Sequence, residues 1–304
     1  MASKQPVFRI GFTGSTLDGI VPWEVEQVGA ADTVVMAMAG SGKDIAALAR
    51  EGRTIYSWDP QELSRCVVQG VFGAPAGTVA PLERGALRGY ATTEHPMTGM
   101  PESAALLADW VAEAGTDYDR VCLAQSLIRS SFMGRLAAWA RDATEDTLWD
   151  AYLRNHAKFM SWRGLPGRFV HTKGSVFADP AHLHQLVKGA TLFVDTPKVV
   201  NTGKHGDIYS KGFLGLNSIL AQERQTLPPW TEDTFRREMP ILWTAPWDRM
   251  LLFHATGCRP EPVDVLAAML ADGVPFPTSV GSWTHKGRTD VCWVCDRDGD
   301  PFWV

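Results

Sequence analysis

Cysteine is scarce in this 304-residue chain, five in all and so an odd number. A set that sparse does not make a disulfide framework. It fits a reducing compartment, so a cytoplasmic location is expected. Long hydrophobic runs are missing as well. No apolar stretch approaches the roughly 18 residues of a spanning helix, and no membrane partner is expected. The opening MASKQPVFRIGF has neither the apolar centre nor the cleavage site of a secretory signal. A basic excess is also absent, because 29 Lys and Arg stand against 34 Asp and Glu for a net charge of −5. That removes a global electrostatic footprint for nucleic acid and leaves room only for a local basic face. No internal repeat or low-complexity segment is found.

The rest of the composition is that of a globular protein, 45% apolar and 21% charged, with an unusual 12 Trp. Short apolar runs read as buried strands at Thr33–Ala39, Thr54–Trp58, Arg120–Leu123, Thr191–Val194, Met250–His254 and Val291–Val294. Helical patterns lie between them at Asp44–Arg50, Pro60–Gln69, Glu102–Ala114, Ser130–Arg141 and Leu214–Gln225. Strands that are apolar throughout and alternate with helices predict a doubly wound, mainly parallel α/β sheet. The stretch 75–175 is less regular and rich in Gly and Pro. It reads as an inserted subdomain, which leaves 1–74 and 176–304 to form the sheet.

Two stretches carry chemistry. In TVVMAMAGSGKDIAALA, residues 33–49, a strand runs into Gly40-Ser41-Gly42 and then a helix. Small residues let a ligand approach the backbone, and a helix N-terminus favours polar or anionic groups. The next strand ends on Asp59, a position from which a carboxylate can accept both hydroxyls of a ribose. A phosphate loop is a poor fit. It needs Gly where Ala37 stands and Ser or Thr where Asp44 stands, and Asp44 would repel phosphate. The second stretch is LFVDTPKVVNTGKHGDIYSKGF, residues 192–213, where an apolar run ends on Asp195, Thr196, Pro197 and Lys198.

The order of these pieces resembles the Dam-type class of DNA adenine-N6 methyltransferases, which use S-adenosylmethionine. That family's opening Gly-Ser-Lys, Leu and Pro-Trp is similar to FTGSTLDGIVPW, residues 12–23. Its cofactor loop is similar to MAGSG at 38–42, its ribose carboxylate to Asp59-Pro60, and its Asp-Pro-Pro-Tyr motif to Asp195-Thr196-Pro197-Lys198. Tyr209 and Phe213 match the downstream tyrosine and phenylalanine. The resemblance covers nearly the whole chain and rests on motif order. It implies a Rossmann-like methyltransferase fold with a target-recognition insertion at 75–175. It further implies a cofactor held by Gly14, Ser15, Ala39, Gly40, Gly42 and Asp59, and a DNA base brought before Asp195, Thr196, Pro197 and Lys198. Tyr209 and Phe213 would border that base.

Three positions depart from the family pattern: Lys198 for Tyr, Thr196 for the first Pro, and Thr16 for Lys. Lys198 has no π face to stack on a flipped base, a contact that contributes about 1–3 kcal/mol. The implied activity is therefore modification of DNA with a changed target, such as an already modified base, or with changed chemistry. The alternatives are a catalytically silent relative that binds nucleic acid, or a transferase using another donor on the same scaffold.

Other candidates are weaker. His254, Cys258, Cys292 and Cys295 have the residue types of a zinc set. However, residues three apart on a strand point to opposite faces, so no metal is expected. His182 and His184 do not share a helix face and read as surface residues. Trp162, Arg163, Arg168 and Lys173 belong to a run that interleaves basic and aromatic residues, a pattern able to grip phosphates and stack on bases. The Trp-rich C-terminal third reads as packing.

Overall fold

The computed structural model describes residues 8, 10, 19–40, 42–86, 102–126, 143–197, 199, 216–223, 230–285 and 288–298. The expected helix at Ser130–Arg141 lies outside them, as do Gly14, Ser15, Lys198, Tyr209 and Phe213.

Seven strands form one sheet in the order β3-β2-β1-β4-β5-β7-β6. They are β1 (Thr33–Met36), β2 (Thr54–Asp59), β3 (Arg168–Lys173), β4 (Thr191–Asp195), β5 (Arg249–Ala255), β6 (Ser279–His285) and β7 (Arg288–Asp296). The pairs from β3 through β5 are parallel, and β7 runs antiparallel to both β5 and β6. The central strands are apolar on both faces because helices cover both. Val34 and Met36 of β1, Phe193 of β4, and Leu251 and Phe253 of β5 enter one core. Their neighbours Val35, Leu192, Val194, Met250 and Leu252 enter the other. Period-two alternation with neither face wet produces a continuous apolar run, as in buried parallel sheets.

The first core is closed by α1 (Ile20–Val28), α2 (Lys43–Arg50), α3 (Glu62–Arg65), α4 (Glu102–Glu113), α5 (Asp117–Ser126) and α6 (Glu145–Met160). The second is closed by α7 (Pro180–Val187), α8 (Glu232–Trp243) and α9 (Pro262–Ala271). The fold is thus the doubly wound, mainly parallel α/β sheet expected from the sequence.

The segment expected as a strand at Arg120–Leu123 is instead the middle of α5. Local chemistry explains the difference. Thr116 Oγ1 accepts the Asp119 backbone N–H at 3.1 Å and donates to the Asp119 carboxylate at 2.6 Å, which starts a helix. Tyr118, Val121 and Cys122 then fall at helical spacing and are all buried. β3 lies inside the stretch 75–175 expected as an insertion, yet it pairs with β2 from Thr54↔Arg168 to Asp59↔Lys173. The sheet therefore draws a strand from that stretch, and α4 to α6 share the first core with the sheet. β3 escapes a search for apolar runs because its side chains are exposed or only half-buried.

After α3 the chain continues as a wider-turned helix over Cys66–Phe72, packed against α5. Gly70 permits that approach, because a Cβ there would overlap the Asp117 Cβ and lie 2.8 Å from the Asp117 carbonyl carbon. Gly70→Ala is expected to destabilise the protein by about 1–3 kcal/mol, the usual cost of overpacking, read as a lower urea midpoint.

Candidate active site

The carboxyl ends of the parallel strands gather the residues singled out in the sequence. The chain leaves β1 toward β2 on one side, while β4 lies on the other, so β1 and β4 flank the point where the winding reverses. Ligands of open α/β sheets bind in that crevice. Ala39, Gly40 and Gly42 follow β1, Asp59 ends β2, and Asp195 ends β4.

The β1–α2 turn needs its glycines. Gly40 and Gly42 have φ of 53° and 78°, a region costly for residues with a Cβ. A Cβ on Gly42 would also meet Phe72 at 3.0 Å, whereas one on Gly40 would meet nothing within 4 Å. The space above Gly40 is open. The two peptides that flank its Cα are each held: the Gly40 N–H donates to Asp59 Oδ2 at 2.7 Å, and Ser64 Oγ donates to the Gly40 carbonyl. Asp59 Oδ1 accepts the Gln61 N–H at 2.9 Å. Asn217, on the helical turns at 216–221, accepts from the Leu63 N–H at 2.8 Å and donates to Gln61 Oε1 at 2.9 Å. One carboxylate thus ties two loops together, and Asn217 steadies the second. Burial pushes the Asp59 carboxyl up to about 6, against the opposing pull of the N–H groups it accepts.

A buried charge cluster stands beside this loop. Lys43 Nζ lies 2.6 Å from Asp44 Oδ1 and 3.9 Å from Glu24 Oε1 on α1. Burial alone would lower the Lys43 pKa, but Asp44, Glu24 and Asp195 outweigh it and hold it raised. Glu24 is pushed well above the usual carboxylate range, first by burial and then by Asp44. The ammonium is therefore committed to carboxylates, which leaves nothing of a phosphate loop in Gly42-Lys43-Asp44.

β4 ends as a half-buried Asp195, and Thr196 follows outside the strand. The Thr196 N–H donates to the Phe253 carbonyl at 3.1 Å, and its hydroxyl meets His254 Nδ1 at 2.7 Å. His254 Nε2 stands 2.8 Å from the Pro260 carbonyl.

The expected substrate residues separate. Lys173 closes β3 at the ligand end, where it pairs with Glu62 at 2.8 Å, and the Gly174 N–H reaches the Asp59 carbonyl at 3.0 Å. Trp162, Arg163 and Arg168 lie toward the opposite end. The Arg168 N–H donates to the Arg53 carbonyl, just before β2 begins. Arg50 caps the Trp162 ring at 4.0 Å, and Arg163 sits 4.8 Å over Tyr118. The basic and aromatic interleaving at Trp162 and Arg163 is therefore internal cation–π packing, not a face for the crevice. Cys292 and Cys295 enter opposite cores, which rules out a shared ligand geometry for them. Sequence reading missed Glu24, Lys43, Ser64, Asn217 and His254 as contributors here.

Strand order, the antiparallel β7 and a crevice between a glycine turn and two strand-end carboxylates define the class as a Rossmann-like methyltransferase fold. No protein-family model matches the chain, and no curated protein matches it. Several solved structures are distantly similar. One is magnesium protoporphyrin IX methyltransferase from Synechocystis PCC 6803 with bound SAM, at 10% identity and a TM-score of 0.39, covering 93% of this chain and 78% of that one. A SAM-dependent methyltransferase from Agrobacterium tumefaciens has 8% identity and a TM-score of 0.41, covering 94% and 64%. The rRNA methyltransferase aviRa from Streptomyces viridochromogenes has 12% identity and a TM-score of 0.36, covering 97% and 88%. At scores this low the likenesses carry no argument, and the assignment rests on the topology.

Asp59 makes a pH prediction. Between the ordinary aspartate value of 3.8 and about 6, the folded chain holds a proton that the unfolded chain has lost. Its contribution to stability therefore grows as pH falls through that window and is lost as pH rises through it. Urea midpoints of wild type and Asp59→Asn, compared across the window, are expected to show this component of the slope only in the wild type.

Proposed function

We propose that this chain binds S-adenosylmethionine over the Gly40 turn and transfers its methyl group to an exocyclic amino group or a related position of a DNA base. The observation that carries the reading is the Gly40 N–H to Asp59 contact of 2.7 Å, beneath open space at the winding reversal, with Asp195 ending the next strand. Each Asp59 oxygen already accepts one backbone N–H and keeps lone-pair capacity for a ribose hydroxyl.

In this reading Asp195 accepts from the target amino group together with the Thr196 carbonyl, which orients the nitrogen lone pair toward the methyl group. A base must leave its duplex to reach such a crevice. Lys173 is the one member of the expected basic set at this end of the molecule, where it can meet a phosphate once released from Glu62. The motif order carries the choice of DNA. Lys198, in place of the family's stacking tyrosine, points to a target carrying a hydroxyl or anionic group. The same substitution favours the second reading, a silent relative that binds nucleic acid without modifying it.

Calorimetric titration with S-adenosylmethionine tests the cofactor half, with binding expected for wild type and lost in folded Asp59→Ala. Asp195→Ala tests the other half. Transfer of labelled methyl to DNA is expected to fall by about 100-fold or more, on the scale of lost transition-state positioning, with cofactor affinity nearly unchanged. Cofactor binding without transfer by wild type to modified or unmodified DNA would favour the silent relative.

A further inference from the structure

β5 outruns β4. Asp195 pairs with Phe253, so His254 and Ala255 continue past the last residue of β4. That overhang holds the turn after Asp195. The Phe253 carbonyl takes the Thr196 N–H at 3.1 Å, and beyond the overhang the Arg259 N–H donates to the Val199 carbonyl at 2.9 Å. The two anchors bracket position 198 in the sequence. Between them stands His254, fully buried, with Thr196 on one ring nitrogen and Pro260 on the other.

The network fixes the tautomer. A carbonyl only accepts, so Nε2 carries the hydrogen and donates to Pro260. In the neutral ring Nδ1 is then the acceptor, and the Thr196 hydroxyl donates to it. Both side chains are removed from water, Thr196 at 2% exposure and His254 at 0%. Breaking the contact would take a hydrogen bond from a buried ring nitrogen, which is costly. The geometry also shows why proline is disfavoured at 196. Proline has no N–H for Phe253 and no hydroxyl for His254. The stiffness that a proline ring would give the turn is supplied here by a hydrogen-bonded side chain reaching the next strand.

We propose that His254 is a positioning residue of the active site: through Thr196 it sets where the Asp195 carboxylate and the Thr196 carbonyl stand before the acceptor. Val199, further along the chain, is anchored by the Arg259 N–H. This role rests on the reading that the turn faces the methyl acceptor, so the test includes a measurement independent of activity.

Three proteins decide it: wild type, Thr196→Ser, which keeps the hydroxyl, and Thr196→Val, which keeps the shape and removes it. Backbone amide exchange is read at Thr196 and Arg259, with Leu251 in β5 as the internal reference. Thr196→Val is expected to speed exchange at positions 196 and 259 relative to Leu251, and Thr196→Ser to restore protection. S-adenosylmethionine affinity is expected to stay within about twofold in both variants, since the Gly40–Asp59 loop is untouched, while kcat for methyl transfer to DNA falls about tenfold or more in Thr196→Val and recovers in Thr196→Ser. Unchanged exchange at 196 and 259 in Thr196→Val would overturn the proposal, as would wild-type kcat in that variant or equal losses in both. If wild type transfers no methyl group, the functional reading fails by itself, and the exchange pattern still decides whether His254 holds the turn.

Discussion

The site depends on one hydrogen bond, 2.7 Å from the Gly40 N–H to a carboxylate at the end of the neighbouring strand. Gly40 supplies the left-handed backbone that turns its N–H toward β2, and Asp59 supplies an acceptor buried enough to be expensive unless used. Ser64 holds the carbonyl of the next peptide, and the Gln61 N–H takes the other carboxylate oxygen. The β1–α2 turn and the β2–α3 turn are therefore a single braced unit. A Cβ on Gly40 would meet nothing within 4 Å, so space is open above it. A cofactor placed there would meet a floor already formed, which lowers the ordering cost of binding.

The opposite wall is built by another means. Thr196 is held by the strand beside it through the Phe253 carbonyl and the His254 ring, and Val199 by Arg259 beyond that strand. One wall thus uses a carboxylate to fix backbone and the other uses a histidine. Both work by giving a buried polar atom no better partner. Glu24 extends the scheme to α1, where a buried carboxyl reaches the Lys43 ammonium. The first helix is part of the site's electrostatics as well as of the core.

What could be read from the sequence follows the range of the interactions. The glycine turn, Asp59 and Asp195 each sit at the end of an apolar run, and strand ends in a parallel sheet converge on one side. Local order was enough to place them together. The doubly wound sheet was legible for the same reason, since Val34, Val35 and Met36 alternate between two cores without a polar break. Legibility failed where a short apolar run carried no length to separate helix from strand, as at Arg120–Leu123, and where an edge strand stayed half-wet, as at β3. It failed again wherever a side chain's partner was distant. Nothing near Thr196 announces His254, and nothing near Lys43 announces Glu24. Composition does not say which way the basic and aromatic residues around Trp162 face. There the cations cover rings of the same protein.

The register of the central pair has a consequence for how the molecule is made. Val34 lies beside Thr191, so the middle of the sheet joins only when most of the intervening chain has been synthesised and collapsed. β1, α2 and β2 can associate early through contacts close in sequence. β4 must come from far away, and loop-closure entropy is charged before its contacts are gained. Asp195 arrives with β4, and the overhang that locks its turn arrives later still with β5. The Asp195 side of the crevice is thus completed by strands synthesised well after the glycine turn of the other side.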